Sequence, residues 1–383
     1  MNPTSLAPEE LRRYARQLVL PEVGLAGQER LRAGRVLVVG AGGLGSPVAL
    51  YLAAAGVGTL GLVEFDRLEP SNLHRQVLYG QSDIGHPKLE AATARLLDLN
   101  PHLRLEPHAL RLDAASARRV ITEYDLVVDG SDNFPTRYAV NDACVAAGKP
   151  CVHGAVLRFS GQVSVFAPGG PCYRCLFPEP PAAGLVPSCE EGGVLGAIPG
   201  VIGTLQATEA LKLLLGVGEP LIGRLLLFDG LAGRFRELRA ARDPACPACG
   251  EGAHPESLAA VEDTCAPAPR VGSGPDPEEI DVLPEDVAGW RASGRPVLLL
   301  DVRTPAEHAL ARIEGSTLLP LQELPARWRE LDPEEPIVVY CHFGPRSRAA
   351  VEFLRQQGLR QVWNLAGGID AWSDAVDPAV PRY

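Results

Sequence analysis

The chain has 383 residues, 46% of them hydrophobic and 22% charged, with a net charge of −11. That length exceeds one ordinary core and predicts two domains, while the acidic balance speaks against direct binding to nucleic acid or to an anionic membrane. No apolar stretch reaches membrane-spanning length, and no basic segment followed by an apolar one opens the chain, so a cytoplasmic location is expected. Nine cysteines under those conditions point to metal binding or thiol chemistry rather than to a disulfide framework.

Residues 8–33 carry a helical pattern, with Leu11, Tyr14, Leu18, Leu25 and Leu31 on apolar faces. Arg12, Arg13 and Arg16 fall between them and read most simply as a solvated face. Val36–Val39 is an apolar strand that stops in a cluster of glycines, where Gly40, Gly42 and Gly45 fit G-x-G-x-x-G. In that pattern the first glycine permits a tight turn, the second lets backbone approach a phosphate, and the third lets helix and strand pack closely. Strand and helix then alternate: helix 46–55, strand 59–65, helix 87–99, strand 103–108, helix 114–121 and strand 125–129. Such alternation predicts a Rossmann-like α/β domain, a mostly parallel sheet with helices on both faces, whose ligand sits beyond the carboxyl ends of the strands.

The unusual polar residues of this half cluster at those ends. Glu64 and Asp66 close the second strand, and Asp129, Ser131, Asp132 and Asn133 close the fourth. Between them lies Ser71-Asn-Leu-His-Arg-Gln76, followed by Lys88 at a helix start. Glu64 stands about 20 positions past the glycine turn, where a ribose hydroxyl would find an acceptor. A dinucleotide oxidoreductase with an appended thiol domain is the competing reading, but it leaves Arg75 and Lys88 without a task. Two cations and the carboxylate of Asp132 suit a triphosphate with Mg²⁺: Arg75 and Lys88 offset phosphate charge and Asp132 holds the metal.

Further along come Cys172-Tyr-Arg-Cys175 and Cys246-Pro-Ala-Cys249. Two C-x-x-C pairs form the strong pattern for structural Zn²⁺, each pair supplying two thiolates to a tetrahedron. The long gap between them predicts a staple joining distant parts of one domain. Between the pairs, Cys189 sits in a glycine-rich stretch, placed to attack an activated acyl group. Helix 200–215 and strands near 225–228 and 234–238 complete the domain at about residue 250. Residues 251–279, rich in Gly, Pro, Ala and acidic residues, read as a linker, in which Cys265 has no assigned role.

A smaller α/β domain is expected over 280–383, with helix 284–293, strand 297–301, an extended stretch 318–321, strand 337–340 and helix 347–357. Cys341 ends the buried strand just before a helix amino terminus, in Cys341-His-Phe-Gly-Pro-Arg346. Loop amides and the helix dipole would stabilise a thiolate there, and Arg346 would add positive charge.

Several of these motifs together carry a family resemblance. Arg-Tyr-Ala-Arg-Gln at 13–17, Gly-Ala-Gly-Gly-Leu-Gly at 40–45, Ser-Asn-Leu-His-Arg-Gln at 71–76, Asp-Asn at 132–133 and the two cysteine pairs resemble the MoeB/ThiF branch of the ubiquitin-activating superfamily. Asp301-Val-Arg303, Glu307, Gly315-Ser and the six-residue loop beginning at Cys341 resemble a rhodanese domain. The fusion is similar to the MoeZ-type adenylyltransferase/sulfurtransferases, whose eukaryotic relatives serve molybdopterin synthesis and tRNA thiolation. The resemblance implies a ubiquitin-like sulfur-carrier protein ending in Gly-Gly as substrate, activated by ATP and Mg²⁺, with sulfur supplied by a donor such as a cysteine desulfurase or thiosulfate.

By position it assigns ATP to Gly43, Glu64, Ser71, Asn72, Leu73, His74, Arg75, Lys88, Asp132 and Asn133, with Asp132 also on Mg²⁺. It makes Cys341 the persulfide residue and Cys189 an optional acyl acceptor. Arg16 would reach the ATP site of a second subunit, making the functional unit a homodimer. One departure bears on the ATP site. Glu64 replaces the usual aspartate, leaving Asp66 as a competitor for the ribose. Arg346 fits C-x₄-R, a loop one residue shorter than that of the phosphatases sharing the rhodanese fold, which suits a persulfide sulfur better than a phosphate.

Overall fold

In the computed structural model, which describes residues 6–181, 193–258, 261 and 280–383, the chain forms two compact units. The first opens with three short helices, α1 (Pro8–Arg13), α2 (Ala15–Leu18) and α3 (Gly24–Ala33). The helical pattern of 8–33 is thus interrupted, at Tyr14 and again over 19–23, where Pro21 lies.

Strand β1 (Arg35–Val39), α4 (Gly45–Ala55), β2 (Thr59–Val63), α5 (Lys88–Leu99), β3 (Arg104–His108), α6 (Ala114–Ile121) and β4 (Leu126–Asp129) follow in the expected alternation. After α7 (Phe134–Ala147) come β5 (Cys151–Leu157), β6 (Ser160–Phe166), the short α8 (Tyr173–Leu176), the long α9 (Ala197–Leu215), β7 (Arg224–Asp229) and β8 (Arg234–Arg239). The eight strands form one sheet in the order β3-β2-β1-β4-β5-β6-β7-β8. Pairing is parallel from β3 to β5 and antiparallel from β5 to β8.

Alternate residues of the central strands face opposite layers, so both faces must be apolar and both must be covered. Val36, Val38, Leu60 and Leu62 pack against Val48 and Leu52 of α4, Leu96 of α5 and Ile202 of α9. Leu37, Val39 and Val127 pack against Ile121 of α6 and Tyr138 of α7. Toward β8 the burial fades, and that edge strand, exposed throughout, carries Arg234, Arg236 and Arg239. Charge on an exposed edge discourages pairing with another chain's strand.

The sequence reading has no counterpart for α7. Pro135 looks like a turn residue, but here it sits in the first helical turn, where its missing N–H costs nothing, and Asn133 caps the helix by accepting from Thr136 N at 2.9 Å. Residues 251–258, the beginning of the stretch read as a linker, stay with this unit: Leu258 packs near the cysteine cluster, and Arg118 donates to the Glu256 carbonyl.

The second unit contains β9 (Asp281–Val282), α10 (Pro284–Ala292), β10 (Leu298–Asp301), α11 (Pro305–Leu310), β11 (Thr317–Leu318), α12 (Leu324–Arg327), β12 (Ile337–Tyr340), α13 (Pro345–Gln356), β13 (Val362–Leu365) and α14 (Gly368–Ala375). Its five strands are all parallel, in the order β11-β10-β12-β13-β9. β12 is central and wholly buried, so Cys341 emerges at the carboxyl edge of the sheet with no exposed surface. No helix among the described residues is long and apolar enough to cross a membrane.

Candidate functional site

The turn after β1 is shaped by contacts that only glycine allows. Gly40 has φ +84°, and a Cβ on Gly45 would stand 1.8 Å from the Gly40 carbonyl oxygen. The peptide between them is pinned from several sides. Glu64 Oε2 accepts from Ala41 N at 3.0 Å, while Tyr79 Oη and Ser46 Oγ both donate to the Ala41 carbonyl. Glu64 Oε1 accepts from Phe65 N and Asp66 N, at 2.8 and 3.0 Å. The longer side chain of Glu64 thus reaches back to tie the end of β2 to the glycine turn.

A cleft opens at this point, beyond the carboxyl ends of β1, β2 and β4. Gly40, Gly42, Gly43, Glu64, Asp66, Arg75, Lys88, Asp132 and Asn133 all border it. Of the sequence-proposed nucleotide residues, Ser71, Asn72, Leu73 and His74 do not. Asn72 is buried, and its Oδ1 accepts from Glu69 N at 3.2 Å; the Ser71 carbonyl accepts from Arg75 Nη1 at 2.7 Å. These residues build the turn that delivers Arg75. Burial and the Arg75 charge both lower the pKa of His74.

Lys88 is 6% exposed and pairs with Asp66 at 3.3 Å, so its charge is already partly engaged. Asp66 thereby has a cation partner, whereas Glu64 has three backbone donors. Asp132 is exposed, and its carboxylate has no partner among the described residues, leaving it open to a cation. Arg16 is exposed on α2 and does not border the cleft of its own chain.

Beneath Asp132 lies a buried support. Asp129 Oδ1 accepts from Ser131 N at 3.0 Å and from Ser131 Oγ at 2.6 Å, and Oδ2 lies 3.4 Å from His153 Nδ1. Burial would raise the Asp129 pKa, but the bonds from His153 and Ser131 and the nearby Arg137 charge hold it below the usual carboxylate range. Burial lowers that of His153. A charged Asp129 facing a neutral imidazole therefore fixes the turn that carries Asp132 and Asn133. Arg137, on α7, also borders the cleft and donates to the Ser131 carbonyl at 3.1 Å. Arg137 and Gln76 were missed as site residues. The only signal for them was position, one next to Arg75 and the other one helical turn past Asn133.

Cys189 and Cys265 lie outside the described residues. The chain re-enters at Gly193, whose carbonyl accepts from Arg158 N at 2.9 Å, and Val194 borders the cleft.

The four paired cysteines meet, although Cys172 and Cys246 are far apart in the chain. All four sulfurs lie within 4.8 Å of one another, with Cys172–Cys246 at 3.6 Å, Cys175–Cys249 at 3.4 Å and Cys172–Cys175 at 3.9 Å. Sulfurs about 2.3 Å from a tetrahedral zinc stand about 3.8 Å apart, so this donor set could bind zinc.

In the second unit, Cys341 Sγ accepts from Gly344 N at 3.1 Å and lies 3.3 Å from Ser347 Oγ, whose one proton is shared between the sulfur and the Gly344 carbonyl, 2.9 Å away. Gly344 takes φ +111°, a conformation that turns its N–H inward toward the sulfur. The expected contribution of Arg346 is changed by its partner: its guanidinium makes two bonds to Glu307, at 2.7 and 3.1 Å, so the positive charge next to the loop is balanced. His342 is stacked between Phe343 and Tyr383, with ring centroids 4.0 and 4.3 Å away. The loop can hold a sulfur anion through N–H and O–H donors.

The profile of the ThiF family matches residues 14–248, and that of the rhodanese-like domain matches residues 283–375. MoeZ of Mycobacterium tuberculosis, described as a probable adenylyltransferase/sulfurtransferase, is 43% identical over 387 residues, covering 99% of this chain and 97% of the relative. The sulfur carrier protein adenylyltransferase of Thermus thermophilus is 56% identical over 263 residues, covering 67% of this chain and 97% of the relative. The crystal structure of E. coli MccB with ATP superposes with a TM-score of 0.53 at 26% identity, over 58% of this chain and 68% of that one. These relatives give the oxidoreductase reading no support. With a ThiF-type unit that implies ATP and Mg²⁺, a rhodanese-like unit built around a loop-held cysteine, and relatives matched nearly end to end, the chain belongs to the adenylyltransferase/sulfurtransferase enzymes.

Proposed function

We propose that this enzyme adenylates the carboxyl-terminal glycine of a ubiquitin-like sulfur-carrier protein ending in Gly-Gly and converts it to a thiocarboxylate, serving molybdopterin synthesis or a related sulfur-transfer route such as tRNA thiolation, thiamine or cysteine synthesis. The observation that carries the reading is the pairing, on one chain, of a glycine-turn cleft bordered by Arg75, Lys88 and Asp132 with a cysteine held by an N–H and an O–H donor.

ATP supplies the adenylyl group that activates the carrier. The amides of the glycine turn and the Arg75 guanidinium face its phosphates, Asp132 holds Mg²⁺, and the Asp129–His153 pair keeps Asp132 in place. Glu64 fixes the turn and keeps lone pairs for the ribose. The carrier carboxylate attacks the α-phosphorus, and pyrophosphate leaves. Arg16 of a second subunit completes the phosphate site, which makes the working unit a homodimer.

Cys341 takes sulfur from a cysteine desulfurase or from thiosulfate as a persulfide, stabilised by Gly344 N–H and the Ser347 hydroxyl. Its outer sulfur attacks the activated carbonyl, either on the adenylate or on a thioester at Cys189, and AMP or the Cys189 thiol leaves. A thiol reductant then attacks Cys341 Sγ, forming a disulfide with it as the thiocarboxylate leaves, and a second thiol reduces that disulfide to restore Cys341. Four thiolates, from Cys172, Cys175, Cys246 and Cys249, hold a structural Zn²⁺ that takes no part in this chemistry.

Replacing Cys341 by Ala should abolish thiocarboxylate formation while leaving carrier-dependent ATP–pyrophosphate exchange intact, as read by mass spectrometry of the carrier and by radiolabel exchange. Loss of both activities would refute the division of labour between the two units.

A further inference from the structure

We infer that Gln76 is a further phosphate-contacting residue of the adenylation cleft, its amide N–H₂ donating to the α-phosphate of the nucleotide. The inference rests on the adenylation reading above. It starts from an imbalance in the side chain's hydrogen bonds. Gln76 is 4% exposed, and its Oε1 is buried without a donor. A buried acceptor left unpaired costs free energy that a fold normally avoids, and it calls for a reason.

The other end of the amide supplies the reason. Nε2 has no acceptor among the described residues, and it borders the cleft directly over the glycine turn. Apart from its chain neighbours, the atom that comes within 4 Å of where a Cβ at Gly42 would stand, among the described residues, is Gln76 Nε2, at 3.8 Å. That second glycine of the turn is where backbone comes nearest a phosphate. The neighbouring Gly43 is covered by Pro199 and by the Arg75 stem, whereas the amide stands at van der Waals distance over Gly42. The Gln76 backbone cannot swing the group away: its N–H donates to the Asn72 carbonyl at 3.0 Å, and its carbonyl accepts from Tyr79 N at 3.2 Å.

The side chain as placed turns its acceptor into the protein and its donor toward the glycine turn, where negative charge would arrive. The phosphate next to the ribose is the one that meets a glycine turn after a first strand. It is also the reacting phosphate, so a neutral donor there meets charge that grows as the carboxylate adds.

Equilibrium binding of ATP, AMP and adenosine to the full-length protein, measured by calorimetry for wild type, Gln76→Glu and Gln76→Met, tests this without turnover. Loss of a hydrogen bond to a charged group should weaken both ATP and AMP about 10- to 100-fold, more for Gln76→Glu because it places a carboxylate against the phosphate, with adenosine unchanged. Gln76→Met keeps the volume and removes the stranded acceptor, so it should unfold no earlier than wild type even if Gln76→Glu is destabilised. Unchanged affinity for all three ligands, an equal fall for all three, or a fall for ATP but not AMP would each overturn the inference. A wild-type protein that binds no ATP would overturn the adenylation reading, and this inference with it.

Discussion

Glu307 shows how one residue can redirect a neighbour's role. Burial alone would raise its pKa, but the Arg346 guanidinium and the Thr304 N–H and hydroxyl hold it at about 2. An unfolded glutamate titrates near 4.3. The folded state therefore gains stability from the charged form above that value and loses it progressively as pH falls toward about 2. Glu307→Gln should cost about 2 kcal/mol at neutral pH, discounted for partial solvent access. The gap between the two proteins should close as the pH approaches 2. All four tryptophans, Trp290, Trp328, Trp363 and Trp372, lie in the second unit. Denaturant titrations followed by tryptophan fluorescence therefore read this unit within the whole chain. A gap that persisted at low pH would refute the assignment.

Helices and strands were legible where hydrophobic period and glycine placement agreed. The β1–α4–β2 unit, with its glycine turn, reads directly because buried parallel strands must be continuously apolar. α7 escaped because Pro135 and Asn133 resemble turn residues, and only the cap geometry shows that they start a helix. That geometry also assigns Asn133 a second task besides any contact with nucleotide. Asn133→Ala should cost about 1 kcal/mol of stability in the first unit, whereas Asn133→Asp should preserve the cap; far-UV circular dichroism during urea unfolding distinguishes them. Equal midpoints for wild type and Asn133→Ala would remove the cap from the account. The candidate site was legible unevenly for a similar reason. Gly43, Glu64 and Asp132 follow β1, β2 and β4 and are read from topology, and Arg75 and Lys88 lie in the connection to α5 and at its start; that Ser71 and Asn72 build a turn while Gln76 faces the cleft depends on side-chain direction, which no spacing reveals.

At the level of the molecule, a zinc ion on the four cysteines would bind the segment after β6 to the segment after β8, across α9 and two strands. Cross-links that close long stretches of chain restrict the unfolded state strongly. Cys246→Ser should lower zinc content and shift unfolding of the first unit, seen in far-UV circular dichroism, to lower denaturant. The tryptophan signal of the second unit should keep its midpoint. Movement of both signals together would mean that the two units unfold as one.

The anchoring of Gly193 sets a length scale for acyl chemistry. Its carbonyl is bonded to Arg158, and a Cβ on Gly196 would stand 1.9 Å from the His74 carbonyl oxygen, so the returning chain is pressed against the turn that delivers Arg75. Position 189 is four residue steps before Gly193 in the chain, and at most about 3.6 Å is gained per step. A carrier that reacts with the thiol at position 189 therefore has to bring its carboxyl terminus within about 14 Å of Gly193, plus the reach of one side chain.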